Sequence, residues 1–141
     1  MQTSQKATPP AKTVAIVIAI LSLVALVSTA APASAATSVV DVAAAPNGQW
    51  VLSADGSVQA VNGAKYYGDR GGTGSGMTTL IPHPNGKGYW IADEKGVVSA
   101  HGSAKFRGDL KGLKLNAPVV GGAQSRSGKG YWLVAADGGI F

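Results

Sequence analysis

Cysteine is absent from this sequence of 141 residues, which excludes disulfides, thiol nucleophiles, thiolate metal sites and a lipid-modified cysteine. Acidic residues are few, with 7 Asp and Glu against 12 Lys and Arg. The basic residues are scattered singly, whereas nucleic-acid binders gather them on one face, so no nucleic-acid partner is expected. Beyond residue 36 no useful apolar stripe at helical spacing occurs, and this favours an all-β chain.

The N-terminal stretch is typical of a secretory signal peptide. Residues 1–12 are polar and weakly basic, residues 14–27 are almost wholly apolar, and Ala33-Ser34-Ala35 supplies the small residues that a signal peptidase accepts. We expect a signal peptide over residues 1–35, forming an apolar helix, and a secreted or cell-surface protein. The alternative is an uncleaved signal anchor over residues 14–31, the only part of the chain expected to contact a membrane.

Three related stretches follow, beginning near Trp50, Trp90 and Trp132, 40 and 42 residues apart. A period of this length is the mark of stacked or radially arranged units. A tight turn precedes each tryptophan, and a second turn follows with a glycine at an equivalent place. These turn glycines, predicted to be structural like the tryptophans, are Gly56, Gly96 and Gly138.

Between the turns, short β-branched and aromatic runs alternate as strands do. In the second repeat the pattern predicts strands over residues 78–83, 89–93, 97–101 and 104–107. Alternation puts Trp90 and Ala92 on one face of the sheet, and Tyr89, Ile91 and Asp93 on the other. A four-stranded antiparallel sheet repeated in this way is typical of a β-propeller blade.

The repeat also resembles a known family. Residues 128–141 read GKGYWLVAADGGIF, with Ala136 where serine is usual, residues 115–121 read LNAPVVG and residues 104–108 read AKFRG. These motifs are similar to the tandem repeats of secreted actinobacterial proteins, and the resemblance covers residues 39–141. It implies propeller-like segments, found alone or beside cell-wall hydrolase domains, and it does not point to one activity.

The period divides the chain into a first repeat over residues 36–76, a second over 77–117 and a third, incomplete repeat over 118–141. The third stops inside its third predicted strand, which gives about two and a half blades, whereas propellers close with about four or more. A truncated gene, a ring of several chains and an open stack of sheets would each account for this number. We favour truncation, because the last residues carry no capping sequence.

Catalytic and metal-binding patterns are not found. His83 lies between two prolines and His101 at the end of a strand, where a surface histidine is expected. Asp93 and Glu94 are adjacent, so on a strand they point to opposite faces and cannot act as a glycosidase pair. The other aspartates mostly stand singly next to glycine, as turn residues do. No catalytic residue, metal or cofactor is therefore expected, and the glycine-rich residues 68–76 are interpreted as a connection between blades.

The recurring aromatic residues remain to be explained. We interpret the three tryptophans as packing residues, and Tyr89, Tyr131 and Tyr67 as candidates for stacking on sugar rings. The sequence thus favours a non-catalytic scaffold or binding surface at the cell envelope. The alternatives are a peptidoglycan- or glycan-binding module and the non-catalytic part of a cell-wall hydrolase or esterase. The expected partners are cell-wall glycan, envelope proteins or other copies of the chain that complete the β-repeat array.

Overall fold

The structure is a computed structural model that describes residues 38–73 and 76–141. Every regular element in these two stretches is a β-strand, which confirms the all-β prediction. The predicted signal peptide over residues 1–35 and the alternative anchor over 14–31 lie outside the described residues, as do residues 74 and 75 of the glycine-rich connection. The strands are β1 (Val39–Ala45), β2 (Gly48–Ser53), β3 (Val58–Val61), β4 (Met77–Pro82), β5 (Gly88–Asp93), β6 (Val98–Gly102), β7 (Val119–Gln124) and β8 (Tyr131–Ala135).

These strands form three small antiparallel sheets. The first sheet has the order β1-β2-β3 and the second has the order β4-β5-β6. The third pairs β7 with β8, and Ile140 adds a bridge to Val134 on β8. Leu133 and Phe141 exchange two backbone hydrogen bonds of 2.9 Å beside this bridge. The third sheet therefore contains the start of a third strand in the place predicted for it.

The three sheets share their irregularities as well as their order. A register shift interrupts the first ladder of each sheet, at Val39/Asp41, Met77/Thr79 and Val119/Gly121. Bulges of this kind bend a strand and increase its twist. The predicted turn glycines Gly56, Gly96 and Gly138 have φ values of 91°, 73° and 87°, and their amides donate to Ser53, Asp93 and Ala135. The sequence repeat is thus a repeat in backbone geometry.

The prediction of a fourth strand in the first and second repeats is wrong. Residues 104–107 form no ladder, and the second sheet ends at β6. The carbonyl of Lys105 instead accepts the indole N–H of Trp90 at 2.8 Å, and the carbonyl of Lys65 accepts that of Trp50 at 2.8 Å. Each segment is held by a tryptophan side chain of its own repeat rather than by a neighbouring strand. The other three strands of the second repeat lie within one residue of their predicted bounds.

The second sheet lies between the other two, and its middle strand β5 is buried along its whole length. Tyr89 and Ile91 pack towards the first sheet, while Trp90 and Ala92 pack towards the third, which confirms the predicted alternation of faces. The first core, between the first and second sheets, contains Ala43, Trp50, Leu52, Val58, Met77, Leu80, Tyr89 and Ile91. The second core, between the second and third sheets, contains Ile81, Trp90, Ala92, Val98, Ala104, Leu110, Val119 and Leu133.

Turns of neighbouring repeats also touch, through a proline and a glycine. Gly86 and Gly128 have φ values of 67° and 68°, which favour glycine. A Cβ on Gly86 would lie 2.2 Å from Cγ of Pro46, and one on Gly128 would lie 2.7 Å from Cγ of Pro84. Each turn therefore requires glycine both for its backbone conformation and for the close approach of the preceding repeat.

Replacing a buried tryptophan should be far more destabilising than replacing the exposed one. Trp90→Ala should lower the free energy of unfolding by about 3–5 kcal/mol, because it removes a buried indole and its bond to Lys105. Trp132→Ala should lower it by less than about 1 kcal/mol, because its side chain is 53% exposed. Urea denaturation followed by circular dichroism measures both. Equal losses in the two variants would contradict this arrangement of the sheets.

Candidate functional site

Aromatic rings join the first sheet to the second. Tyr89 on β5 lies 5.1 Å from Trp50 on β2, and Tyr67 lies 6.0 Å from Tyr89 and 6.2 Å from Trp50, measured between ring centroids. The rings are tilted or edge-on to one another, the arrangement that aromatic pairs prefer. Tyr67 is half-buried, and its hydroxyl donates to the carbonyl of Gly86 at 3.4 Å. These rings therefore pack the two sheets together.

The hydroxyl of Tyr89 is held inside this junction. It donates to the carbonyl of Gly68 at 2.5 Å and accepts the amide of Tyr67 at 3.3 Å. Burial raises the pKa of Tyr89 to about 12. The ring is 0% exposed, so the predicted exposure of Tyr89 to a sugar ring is wrong. The physical reason is that neighbouring sheets cover both faces of β5, so that Tyr89 faces the first sheet and Trp90 faces the third.

Tyr131 takes the same place between the second and third sheets. Its ring centroid lies 5.2 Å from that of Trp90, and its hydroxyl donates to the carbonyl of Gly108. Burial raises the pKa of Tyr131, and the nearby Asp109 raises it further. The side chain is half-buried. Tyr89 and Tyr131 are thus equivalent connections between sheets, each made from a tyrosine of one repeat to a glycine carbonyl of the repeat before it.

An ion pair reinforces the first of these junctions. Arg70 Nη2 lies 3.2 Å from Asp93 Oδ2, and Arg70 Nη1 donates to the carbonyl of Val97 at 3.2 Å. In the next repeat Leu110 replaces Arg70, and Ala135 replaces Asp93. Sequence reasoning missed this pair. The signal that could have found it is the joint change from two opposite charges to two apolar residues at equivalent positions.

Ser99 and His101 form the arrangement closest to a catalytic pair among the described residues. Ser99 Oγ lies 2.9 Å from His101 Nε2, and the two side chains share the face of β6 that points to the first sheet. Partial burial lowers the pKa of His101, Arg70 lowers it further, and Asp69 acts in the opposite direction. Both side chains are only partly exposed, and the ring of His101 packs 5.6 Å from that of Tyr89. This geometry fits a packing role at the junction.

Clefts open beside the sheets. One of them, of about 600 Å³, is lined by apolar loop residues such as Leu113, Leu115 and Pro118. Another, of about 310 Å³, is lined by Trp90 and by the basic residues Lys105, Arg107 and Lys129. In the parts of the chain that the structure describes, no three side chains are placed to hold a metal ion. Those parts also contain no helix that is long and apolar enough to cross a membrane.

The third sheet exposes a face whose equivalents in the other two sheets are buried. Trp132 pairs with Ala123, and Val134 pairs with Ile140, so all four side chains point to one face of the sheet. We call these four residues the Trp132 face. Trp132, Val134 and Ile140 are 53%, 36% and 67% exposed. The equivalent residues are buried in the first sheet (Ala43, Trp50, Leu52 and Val58) and in the second (Ile81, Trp90, Ala92 and Val98).

Protonation of His101 should make stability depend on pH. Because its folded-state pKa lies below the usual 6.5, the unfolded chain binds a proton first, and stability should fall as pH drops from 6.5 through the lowered value. His101→Val, which installs the residue found at the equivalent Val61, should remove this slope. Asp69, whose pKa is lowered by hydrogen bonds, acts only below 3.8. Urea denaturation across this pH range measures the slope, and an unchanged slope in His101→Val would contradict the assignment.

No protein-family model matches this chain, and neither a curated protein nor a solved structure does. The resemblance to secreted actinobacterial repeats therefore stays a prediction from the sequence. Among the residues that the structure describes, the Trp132 face is exposed where the equivalent faces of the first and second sheets are buried.

Proposed function

We propose that this chain is a secreted, non-catalytic, propeller-like β-repeat segment that acts as a scaffold or binding surface at the cell envelope. The composition of residues 1–35 supports secretion, because it combines a basic start, an apolar run and a small-residue cleavage site. The period of 40 and 42 residues and the stack of small sheets, each packed on its neighbour, support the propeller-like character.

The observation that carries the proposal is the exposure of the Trp132 face. Tryptophan on an exposed and apolar sheet face is typical of an interaction site, since soluble proteins rarely leave such patches uncovered. The residues that define this face carry no charge, which also fits the core of an interface. A scaffold requires a surface of this kind and no reactive group.

Retention by the envelope tests this proposal. Trp132→Ala should weaken the association of the protein with isolated cell envelopes by about tenfold, because a central tryptophan commonly contributes more than 1 kcal/mol to binding. Leu113→Ala is the matched control, since Leu113 is also an exposed apolar residue but lies on a loop. Sedimentation of envelopes with the bound protein measures retention. Equal retention of Trp132→Ala and the native chain would refute a binding role for this face.

A glycan-binding module is the second candidate, favoured by two exposed rings. Tyr66 and Phe106 stand at equivalent positions of the first and second repeats and are 50% and 55% exposed. Each follows a lysine, Lys65 or Lys105, so that each ring has a cationic neighbour in sequence. Exposed aromatic rings are suited to stacking on sugars, whereas Tyr89 is enclosed by the sheets.

Peptidoglycan pull-down distinguishes the second candidate from the first. If the chain binds glycan through these rings, the double variant Tyr66→Ala, Phe106→Ala should lose retention on purified peptidoglycan while keeping its unfolding midpoint. Trp132→Ala should then be retained like the native chain. Tyr89→Ala is unsuitable for this purpose, because its buried hydroxyl and ring contribute to folding. Retention of the double variant at the native level would remove the glycan candidate.

A further inference from the structure

The packing inside the chain follows one rule. Each sheet has one face that carries its tryptophan and an opposite face that carries the residue just before that tryptophan. The tryptophan face of one sheet packs against the opposite face of the next sheet. Trp50 is covered in this way by the second sheet, where Tyr89 and Ile91 point towards it. Trp90 is covered by the third sheet, with Tyr131 and Leu133. The same two faces therefore meet twice, in the same order.

In the part of the chain that the structure describes, no sheet covers the complementary face of the first sheet. In the pairing of β1 with β2, Val42 lies opposite Val51, as Leu80 lies opposite Ile91 in the second sheet. Leu80 and Ile91 are buried against the first sheet, whereas Val42 is 52% exposed. We call Val42, Ala44, Gln49 and Val51 the Val42 face. In the second and third sheets the equivalent face packs against the preceding sheet, whereas no sheet precedes the first within the described residues.

We infer that a second copy of this chain seats its Val42 face on the Trp132 face. This inference names a partner for the surface in the proposed function and rests on that function for its relevance at the envelope. The contact continues an arrangement that the chain already forms twice, which is a stronger reason than exposure alone. It joins two different surfaces head to tail, and contacts of this kind generate rings where the rotation closes and filaments where it does not.

The chemistry of the two faces suits this contact. The residues that define the Trp132 face and the Val42 face include no charged side chain, and depletion of charge is typical of the core of a protein interface. The main departure is Gln49, which takes the position of Tyr89 and Tyr131. The copy-to-copy junction therefore lacks the tyrosine hydroxyl bond to a glycine carbonyl, and it should be weaker than the two junctions within a chain.

Tryptophan fluorescence provides a direct test, because the chain contains three tryptophans and only Trp132 is exposed. With the full chain, the share of emission quenched by acrylamide should fall as protein concentration rises, since a second copy covers Trp132. Val42→Glu should abolish this fall although it lies on the first sheet and leaves Trp132 in place. Leu113→Glu, an exposed loop substitution, should leave the fall unchanged. Trp50 and Trp90 should stay unquenched in every variant that is folded.

A mixing experiment establishes the direction of the contact. Trp132→Glu keeps the Val42 face, and Val42→Glu keeps the Trp132 face, so each alone should remain monomeric in light scattering. Added to Val42→Glu, the Trp132→Glu variant should restore the protection of Trp132 from acrylamide and give a one-to-one dimer. Protection that persists in Val42→Glu alone would show pairing of two Trp132 faces and overturn the inference. Quenching that is independent of concentration in the native chain would overturn it as well.

The same readout separates failure of this inference from failure of the proposed function. If envelope fragments protect Trp132 but a second copy does not, the binding surface stands and the partner is wrong. If purified peptidoglycan alone protects it, the occupant is glycan rather than protein, and the inference also fails. If neither envelopes nor a second copy protects Trp132, both the inference and the proposed function fail.

Discussion

The tryptophan on the second strand of each sheet can be buried only by the sheet that follows, and this constraint orders the whole chain. A sheet of two short strands is marginally stable in water, and three strands are about the smallest number that is stable alone. Trp50 and Trp90 are buried because another sheet covers them, and their indole N–H groups are bonded to Lys65 and Lys105 within their own repeats. Each core is thus shared by two repeats, so stability is a property of neighbouring pairs of sheets.

The two junctions use one common bond and one variable pair. A tyrosine hydroxyl donates to a glycine carbonyl of the preceding repeat in both. Beside it, the first junction has the ion pair of Arg70 and Asp93, whereas the second has Leu110 and Ala135 at the equivalent positions. A partly buried charge that loses its partner is costly. The ion pair therefore disfavours an arrangement in which the third sheet, which has Ala135 in place of Asp93, packs against Arg70. The tyrosine hydrogen bond, which both junctions share, fixes the spacing between the sheets.

Much of this fold could be predicted because the strands and turns depend on local sequence. The alternation along β5 assigned Trp90 and Tyr89 to opposite faces correctly, and the turn glycines lie where the repeat placed them. The prediction of a fourth strand was wrong because residues 104–107 alternate as a strand does. Their path is instead determined by the hydrogen bond between the Trp90 indole and the carbonyl of Lys105. The burial of Tyr89 could not be predicted either, because the residue pattern of a single sheet does not show whether both of its faces are covered by other sheets. That burial depends on two neighbouring sheets at once.

In such an array, position rather than residue type separates a packing residue from a binding residue. The Tyr89-Trp90 pair serves two junctions, so a change at Tyr89 or Trp90 alters folding before it alters any surface. Trp132 is the same residue at the same place in its repeat, yet it is exposed because no described sheet follows it. Because the equivalents of the Trp132 face are buried by a neighbouring sheet, this face already has a surface that such a sheet can cover. A partner that presents the complementary face of another such sheet would repeat contacts that the chain already makes twice.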